Sequence, residues 1–559
     1  MPWEEKGIAT AFGAKWNSDL RQFIFIGSLP IQLEPYRSQP FSLERWIEEE
    51  INGYSSTINT TPTMKPRPHQ VTAIKKIISS AQAKMRGFIL ADNVGIGKSL
   101  EALYGANEVA KVKGFTSLAP ASLLIVCPKS VIPHWRNTVA ALKITHLRIV
   151  VINYDQAKKL LSVPAAAASA KRTRTKNQRI ASSGKPNVNW DIIVADEAHK
   201  LKNVSQRTQA FNAIARYSQS AALAPFVIWA SATIGQNPVE LGYLAPLVGQ
   251  MTGKASLTVK EWGAYLENQG YHVVKGTVGY SWIKSKKEDS AGQKASTLRA
   301  QKADIAKLAA LLFDPTAPSI RRNPTDVAGW PEIVRIPYPV QLEASESQLY
   351  KNLWLSFRNF LRLNPKGKNP AGGLAEQLRF RQKASLIRVP STIDFAKDLL
   401  DNGLQVAISV QFMESLDAIK QSLEAKGIVC VEFSGRNESN REGERLRFQT
   451  GQAQVILFTV CEGISLQANE QLPNGQKATS TPRATVVHDV RYSGIDCAQI
   501  CGRAHRDGQA ANVYFMYAQN TVEEPITKLM LRRLANMSAL SGDDADTTEQ
   551  IEKILEGLA

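Results

Sequence analysis

Two hydrophobic periods alternate along this chain. Short apolar runs recur: "GFILAD" at 87–92, "LLIVC" at 123–127, "DIIVAD" at 191–196, "PFVIWA" at 225–230, "VAIS" at 406–409 and "VILF" at 455–458. Runs of this length, bounded by polar or turn residues, predict strands covered on both faces. Between them, "SLEALYGANEVAK" (99–111), "LRAQKADIAKLAALLF" (298–313) and the end of "VAISVQFMESLDAIKQSLEAKG" (406–427) place apolar residues at helical spacing. Strand–helix alternation over 62–250, and again over 336–540, predicts two α/β lobes, each built on a mostly parallel sheet with helices on both faces. The pattern weakens over 251–335, which reads as a linking region. Within it, 270–294 fits a short hairpin and basic loop.

The ends and inserts read differently. Residues 1–55 form a small α+β unit with an aromatic set, Trp3, Phe12, Trp16, Phe23, Phe25 and Trp46. These rings are either its core or a base-stacking surface. "YSSTINTTPT" (54–63) marks the boundary behind it. The low-complexity stretch 164–187 carries Lys171, Arg172, Arg174, Lys176, Arg179 and Lys185 with no acid. It reads either as a loop that touches phosphates or as a solvated excursion. Residues 364–373 read as a turn or a disordered loop, and 541–559 as an acidic tail with a short helix.

Composition narrows the function. The chain has 559 residues, room for two large domains and accessories, and a net charge of +18. That excess points to a polyanionic partner, whose affinity should fall by orders of magnitude between roughly 50 and 200 mM salt. No run approaches the ~20 apolar residues of a membrane span. The first residues lack an apolar signal core. The expected setting is the cytoplasm of a bacterial or phage-infected cell, or the nucleus of a eukaryotic one. Five scattered cysteines without a C-x-x-C pair read as reduced thiols rather than a metal site.

The candidate chemistry starts at "ADNVGIGKS" (91–99). Gly95 and Gly97 let backbone N–H groups converge on phosphates, Lys98 can reach their charge, and the Ser99 hydroxyl can hold Mg²⁺. The strict loop pattern wants a glycine where Asp92 stands, and the alternative is an ordinary strand-to-helix turn with a surface lysine. A second piece is "WDIIVADEAHKLKN" (190–203). Asp196, at a strand's C-terminal end, is placed to hold the metal, and Glu197 to orient or deprotonate a water. The alternative is a helix start, which also favours acids.

These residues and those that follow resemble superfamily 2 helicases, most closely the Swi/Snf branch of DNA translocases, over roughly 62–540. That branch writes its loop D-E-x-G-x-G-K-[ST], so Asp92 matches a family position. The resemblance implies two RecA-like lobes with ATP and Mg²⁺ between them. It implies that Gln70, in "KPRPHQ", reads adenine, and that Gln499 lies at the nucleotide. Arg503 and Arg506, in "QICGRAHRDGQ" (499–509), match the arginine fingers that reach the γ-phosphate. His199, Ser231 and Thr233 match the segments that couple hydrolysis to movement. Pro128 and Trp135 in "LLIVCPKSVIPHW", Tyr154 in "VINYDQ", and Gly463 in "VILFTVCEGISLQAN" match nucleic-acid contacts. "PSIRRNPTDV" (318–327), followed by 329–350, resembles the bridge into the second lobe. Ser231-Ala232-Thr233, Val460-Cys461 and Tyr492-Ser493-Gly494 depart from the branch's usual spelling and mark a remote member.

Three readings follow. The first is an ATP-driven translocase on duplex or branched DNA. The second is a strand-separating helicase on DNA or, as second choice, RNA. The third is a nucleic-acid-binding scaffold with a degenerate motor. Lys98, Asp196, Glu197 and Arg506 are all present, which ranks the scaffold last.

Overall fold

The computed structural model describes residues 10–11, 15–17, 22–24 and 65–536, except 143, 163–184, 203–204, 218–221, 236, 255–256, 278, 284–289, 324–325, 329, 332, 364–369, 438–439, 460–462, 473–475 and 506–508. Several expectations therefore fall outside the described residues: most of the aromatic set of 1–55, the basic insert up to 184, the Val460–Cys461 pair, Arg506, and the tail 541–559. Met1–Glu50 is one compact unit. In it, β1 (Lys15–Asn17) and β2 (Gln22–Ile24) pair antiparallel, with Lys15 opposite Ile24.

Ile51–Ala559 is the second unit. Its first lobe contains β3 (Gly87–Leu90), β4 (Ala121–Cys127), β5 (Leu147–Asn153), the two-residue β6 (Leu161–Ser162) and β7 (Lys185–Pro186), then β8 (Ile192–Asp196) and β9 (Phe226–Ala230). A hairpin, β10 (Val273–Gly276) and β11 (Gly279–Trp282), and the short β12 (Ser319–Ile320) complete it. The main sheet runs β12-β3-β9-β8-β4-β5, and every pair in it is parallel. The apolar runs form its strands because a parallel sheet covered on both faces has no polar side; β3, β8 and β9 are buried along their whole length.

The second lobe repeats the plan. β13 (Arg335–Val340), β14 (Gln405–Ser409), β15 (Cys430–Phe433), β16 (Val455–Phe458), β17 (Arg483–Val487) and β18 (Ala511–Ala518) pair in the order β13-β18-β17-β14-β16-β15, all parallel. The strand period of two divides its core. Val455 and Leu457 pack with Val406 and Ile408 on one face. Ile456 and Phe458 pack with Ala407 and Val431 on the other. The chain thus folds into two parallel-sheet α/β lobes of the RecA-like kind. Among the described residues no helix is long and apolar enough to cross a membrane.

The region 251–335 holds more order than its weak pattern suggests. The expected hairpin forms, and Asp304 ties both of its feet to the helix Ala291–Leu312. Asp304 accepts from His272 N at 3.0 Å, His272 Nδ1 at 2.9 Å and Trp282 Nε1 at 2.8 Å. That helix starts earlier than its apolar spacing indicates, because Ser290 and Gln293 close a capping box ahead of it. At the end of the region β12 joins the first lobe's sheet, extending it beyond β3.

Candidate nucleotide site

β3 ends at Leu90, and the chain turns through 91–97 into the helix Lys98–Val112. Gly95 (φ 89°) and Gly97 (φ 104°) take left-handed conformations, which a side chain disfavours. At Gly97 space is a second constraint: a Cβ would lie 2.2 Å from Gln70 Nε2. Gln70, in the first turn of the helix Pro68–Gln82, donates to Ile96 O at 3.3 Å and Gly97 O at 3.4 Å, and it accepts from Arg67 N at 2.8 Å. The expected adenine reader is thus built against the loop. Lys98 Nζ donates to Asp92 O at 2.8 Å and Asn93 O at 3.2 Å. Burial lowers its pKa, against the pull of Glu197, Asp92, Asp196 and Glu101.

Asp92 has a physical reason to stand where the strict pattern has glycine. Its carboxylate is fully buried and accepts from Arg322 Nε at 3.0 Å and from Arg322 Nη2. The same Nη2 reaches Glu101 Oε1, in the helix behind the loop, at 2.7 Å. Arg322 Nη1 donates to His69 O. The sheet register produces this meeting. Ser319 pairs with Ile89 and Ile320 with Leu90, so two residues further along each strand Arg322 stands beside Asp92.

The acidic pair lies at the end of β8. Asp196 Oδ2 accepts from Trp135 Nε1 at 2.7 Å, Asp196 Oδ1 from Glu197 N at 3.0 Å, and Asp196 O from the Tyr154 hydroxyl at 2.8 Å. Burial, then the neighbouring Glu197 charge, raises the pKa of Asp196; the Trp135 hydrogen bond and Lys98 oppose the rise. Glu197 moves the other way. Burial raises its pKa, but His199, Lys98 and Arg503 outweigh burial and hold the carboxyl below its usual range. His199 Nδ1 lies 3.3 Å from Glu197 Oε2 and 3.0 Å from Ser231 Oγ. Ser231 Oγ donates to Thr233 O at 2.7 Å. Glu197 itself has φ 52°, a left-handed backbone rare for a residue with a side chain, at the strand-to-turn junction.

The second lobe meets this site at several points. Gln499 Nε2 donates to Glu197 Oε1 at 3.3 Å, while Gln499 Oε1 is buried without a hydrogen-bond partner. Arg503 is buried, with Nη1 on Ile464 O at 2.9 Å. A Cβ on Gly502 would lie 2.5 Å from Val94 Cγ1 of the phosphate loop. A cavity of about 310 Å³ opens between Gln70, Gly95, Gly97 and Ser99 on one side and Gln467, Asn469 and Glu470 on the other.

The loop residues, Gln70, the acidic pair, the coupling residues and Gln499 therefore come together. Three of the four expected nucleic-acid contacts are buried in this structure, and the fourth, Gly463, is partly exposed. Pro128 is buried, Trp135 is 0 % exposed, and Tyr154 is 3 % exposed. The last two spend their polar atoms on Asp196: Trp135 from the helix Ile132–Ala141 that follows β4, the neighbour of β8, and Tyr154 from the end of β5, one strand further out. Gly463 (φ 71°) sits against the first lobe, where a Cβ would be 2.7 Å from Val131 Cγ2. Sequence reasoning passed over Arg322 and Glu101. The resemblance marked "PSIRRNPTDV" as the bridge into the second lobe but gave Arg322 no role, and Glu101 lay unmarked within a helical run.

The residues fit a nucleotide-bound Mg²⁺. Among the described residues no group of three or more His, Cys, Asp or Glu side chains could hold a metal ion on its own. Ser99 and Asp196 offer two oxygens, which suits an ion that keeps its waters and takes phosphate oxygens.

Such a cleft, with phosphate-binding and acidic groups in one parallel-sheet lobe and the arginine segment in the other, belongs to the nucleotide-driven motors of helicase superfamily 2. The family model described as the SNF2-related domain matches residues 69–223, and the chain is similar to Swi/Snf-type ATP-dependent helicases. It is similar to the "Uncharacterized ATP-dependent helicase YqhH" of Bacillus subtilis, 22 % identical over 88 % of this chain and 82 % of the relative. It is also similar to the "Putative ATP-dependent RNA helicase L364" of Acanthamoeba polyphaga mimivirus, 20 % identical over 88 % of this chain and 86 % of the relative. The "ISWI chromatin-remodeling complex ATPase ISW1" of Saccharomyces cerevisiae is 25 % identical over 24 % of this chain and 12 % of its own. Among solved structures, the Pyrococcus furiosus Hef helicase domain aligns over 83 % of this chain and 97 % of its own, with 13 % identity and a TM-score of 0.39.

Proposed function

We propose that this ATP-dependent enzyme hydrolyses ATP in the cleft between its lobes and uses cleft closure to move along DNA, duplex or branched by preference. One observation carries the reading: Gln499 of the second lobe reaches Glu197 of the first. A site completed by both lobes ties hydrolysis to their relative position.

The residues divide the work as follows. Lys98, drawn off the loop carbonyls it now holds, neutralises phosphate charge, and Gly95 and Gly97 leave backbone N–H groups free to converge there. Bound ATP supplies the phosphoryl group, and Ser99 and Asp196 are the residues that would hold its Mg²⁺, which would offset phosphate charge. Glu197, kept anionic by His199, Lys98 and Arg503, orients and deprotonates the water. Arg503 and Arg506 stabilise the charge that develops on the transferring group. The His199–Ser231–Thr233 links carry the state of Glu197 to the coupling segment.

DNA is supported by the net charge of +18 and by the likeness to a chromatin-remodeling ATPase. The name of the mimivirus relative favours the second reading, a strand-separating helicase on RNA. Steady-state ATP hydrolysis separates them when measured alone and with duplex, single-stranded and forked DNA and RNA. Glu197→Gln serves as control and is expected to lower kcat by ~10²–10⁴. Stimulation by duplex or forked DNA supports translocation. Stimulation mainly by single strands or RNA overturns it in favour of strand separation, and hydrolysis under no condition leaves the scaffold.

A further inference from the structure

The segment that links the lobes is bound to the phosphate loop more closely than a covalent connection requires. Backbone hydrogen bonds run in register past the end of the sheet: Ala91 N to Ile320 O and Asn93 N to Arg322 O, both at 2.9 Å. Arg321 Nη1 reaches Ala91 O and Ala232 O, each at 3.4 Å, joining the loop to the Ser231–Thr233 segment. Arg322 then binds three pieces of the nucleotide site with one guanidinium: Asp92 in the loop, Glu101 in the helix behind it, and the carbonyl of His69 beside Gln70.

Its partners have few alternatives. Asp92 and Glu101 are both fully buried, and Asp92 Oδ1 and Glu101 Oε2 have no hydrogen-bond partner. One arginine therefore serves two buried carboxylates, and its planar fork is the geometry that can hold both. Further along, Trp330 packs edge-on to His69 with ring centroids 5.3 Å apart, and the next residue's carbonyl, Pro331 O, meets His505 Nε2 at 2.9 Å. His505 stands in the segment of Arg503 and Arg506. Four residues after Pro331 the chain enters β13 of the second lobe.

We propose that Arg322 is a positioning residue: it holds the phosphate loop on the interlobe bridge, so that the loop is set for nucleotide and its state is passed to the second lobe. Arg322 acts through Asp92. Asp92 O accepts from Lys98 Nζ, so the Asp92 carboxylate that Arg322 fixes belongs to the residue that parks the lysine. This proposal rests on the reading of the cleft as an ATP site, and nucleotide binding tests it apart from hydrolysis.

The experiment compares wild type, Arg322→Lys, Arg322→Gln and Arg322→Gln/Asp92→Asn, with nucleotide affinity measured by a fluorescent ATP analogue in a Glu197→Gln background. ATP KM and kcat are measured in parallel without that substitution. Arg322→Gln should weaken nucleotide binding and raise KM roughly tenfold or more, the scale on which residues that orient ligand-binding groups are felt. The change in kcat should be smaller. The double variant should recover part of the affinity, because it removes the carboxylate left without its arginine, and Arg322→Lys should fall between. A general lesion would lower the active fraction, and so kcat, at constant KM.

Unchanged affinity in Arg322→Gln overturns the proposal, as does a double variant no better than the single one. Should both glutamine variants fail to fold, Arg322→Lys decides: wild-type affinity overturns the proposal and weakened affinity supports it. If wild type binds nucleotide but never hydrolyses it, the ATPase reading fails while the binding series still judges Arg322.

Discussion

Trp135→Phe separates two accounts of the same residue. By resemblance Trp135 touches nucleic acid; in the structure its ring is 0 % exposed and its Nε1 donates to Asp196 Oδ2 at 2.7 Å. Phenylalanine keeps the aromatic bulk and removes the donor, leaving a carboxylate oxygen in a dry site without that partner. A hydrogen bond to a charged group is worth about 1.5–3 kcal/mol. If Asp196 needs that bond to hold its geometry as the γ-phosphoryl group moves, kcat falls by roughly 10- to 150-fold at 1.36 kcal/mol per decade. Nucleic-acid affinity should not change. The assay is ATP hydrolysis at saturating nucleic acid, beside a fluorescence-anisotropy titration of the nucleic acid without nucleotide, with thermal unfolding as the check on folding. Unchanged kcat with weakened nucleic-acid binding would falsify the buried role and restore the surface one.

Three further outcomes follow from the geometry. Gly97→Ala puts a Cβ 2.2 Å from Gln70 Nε2 at φ 104°, so nucleotide affinity measured by fluorescence should fall between about 5- and 150-fold, the equivalent of ~1–3 kcal/mol of backbone strain; wild-type affinity would show that the loop relaxes freely. Gly463→Ala puts a Cβ 2.7 Å from Val131 Cγ2 across the cleft, and should lower ATP turnover while leaving nucleotide binding by the first lobe within about twofold, a split that the KM and kcat pair reads directly. His488, fully buried between Ser385 and Thr392, has its pKa lowered to about 4, with burial the main cause. The folded protein then binds fewer protons than the unfolded chain between pH 6.5 and 4, so the contribution of the neutral ring is present above 6.5 and lost as pH falls towards 4. The loss is about 3 kcal/mol at 1.36 kcal/mol per unit. Urea unfolding of wild type and His488→Gln across that window should give different pH slopes, and equal slopes would refute the assignment.

The parts legible in the sequence were those that depend on near neighbours. β3, β8 and β9 are wholly buried, which leaves unbroken apolar runs, and the phosphate loop and acidic pair each lie within a few residues at the end of such a run. The illegible parts depend on strand order. Trp135 meets Asp196, 61 positions away, because β4 and β8 are neighbours; Arg322 meets Asp92, 230 positions away, because β12 pairs with β3. Neither adjacency has a local signature, and β12 is only two residues long. Resemblance reached further, but it supplied roles without locations. It brought Gln499 and His199 towards the site, where they lie, and assigned Trp135 and Tyr154 to a surface they do not occupy.

Asp92 joins these strands of argument. A glycine there would make the loop independent of its surroundings, since it would bring no charge and accept any backbone. An aspartate makes the loop conditional, because a fully buried carboxylate needs a partner, and among the described residues the guanidinium bonded to it comes from the bridge. Glu101 tightens the condition by placing a second buried acid on the same guanidinium; burial and then the Asp92 charge push its pKa up to about 8, against the pull of Arg322. Separating loop from bridge then leaves one buried charge and one further buried acid group without their shared donor, a larger cost than the loss of one ordinary hydrogen bond. A motor whose lobes must report to each other gains from that arrangement. The phosphate-binding turn cannot shift without moving the chain that leads to β13, and the bridge cannot be pulled by the second lobe without disturbing Asp92, whose carbonyl holds Lys98.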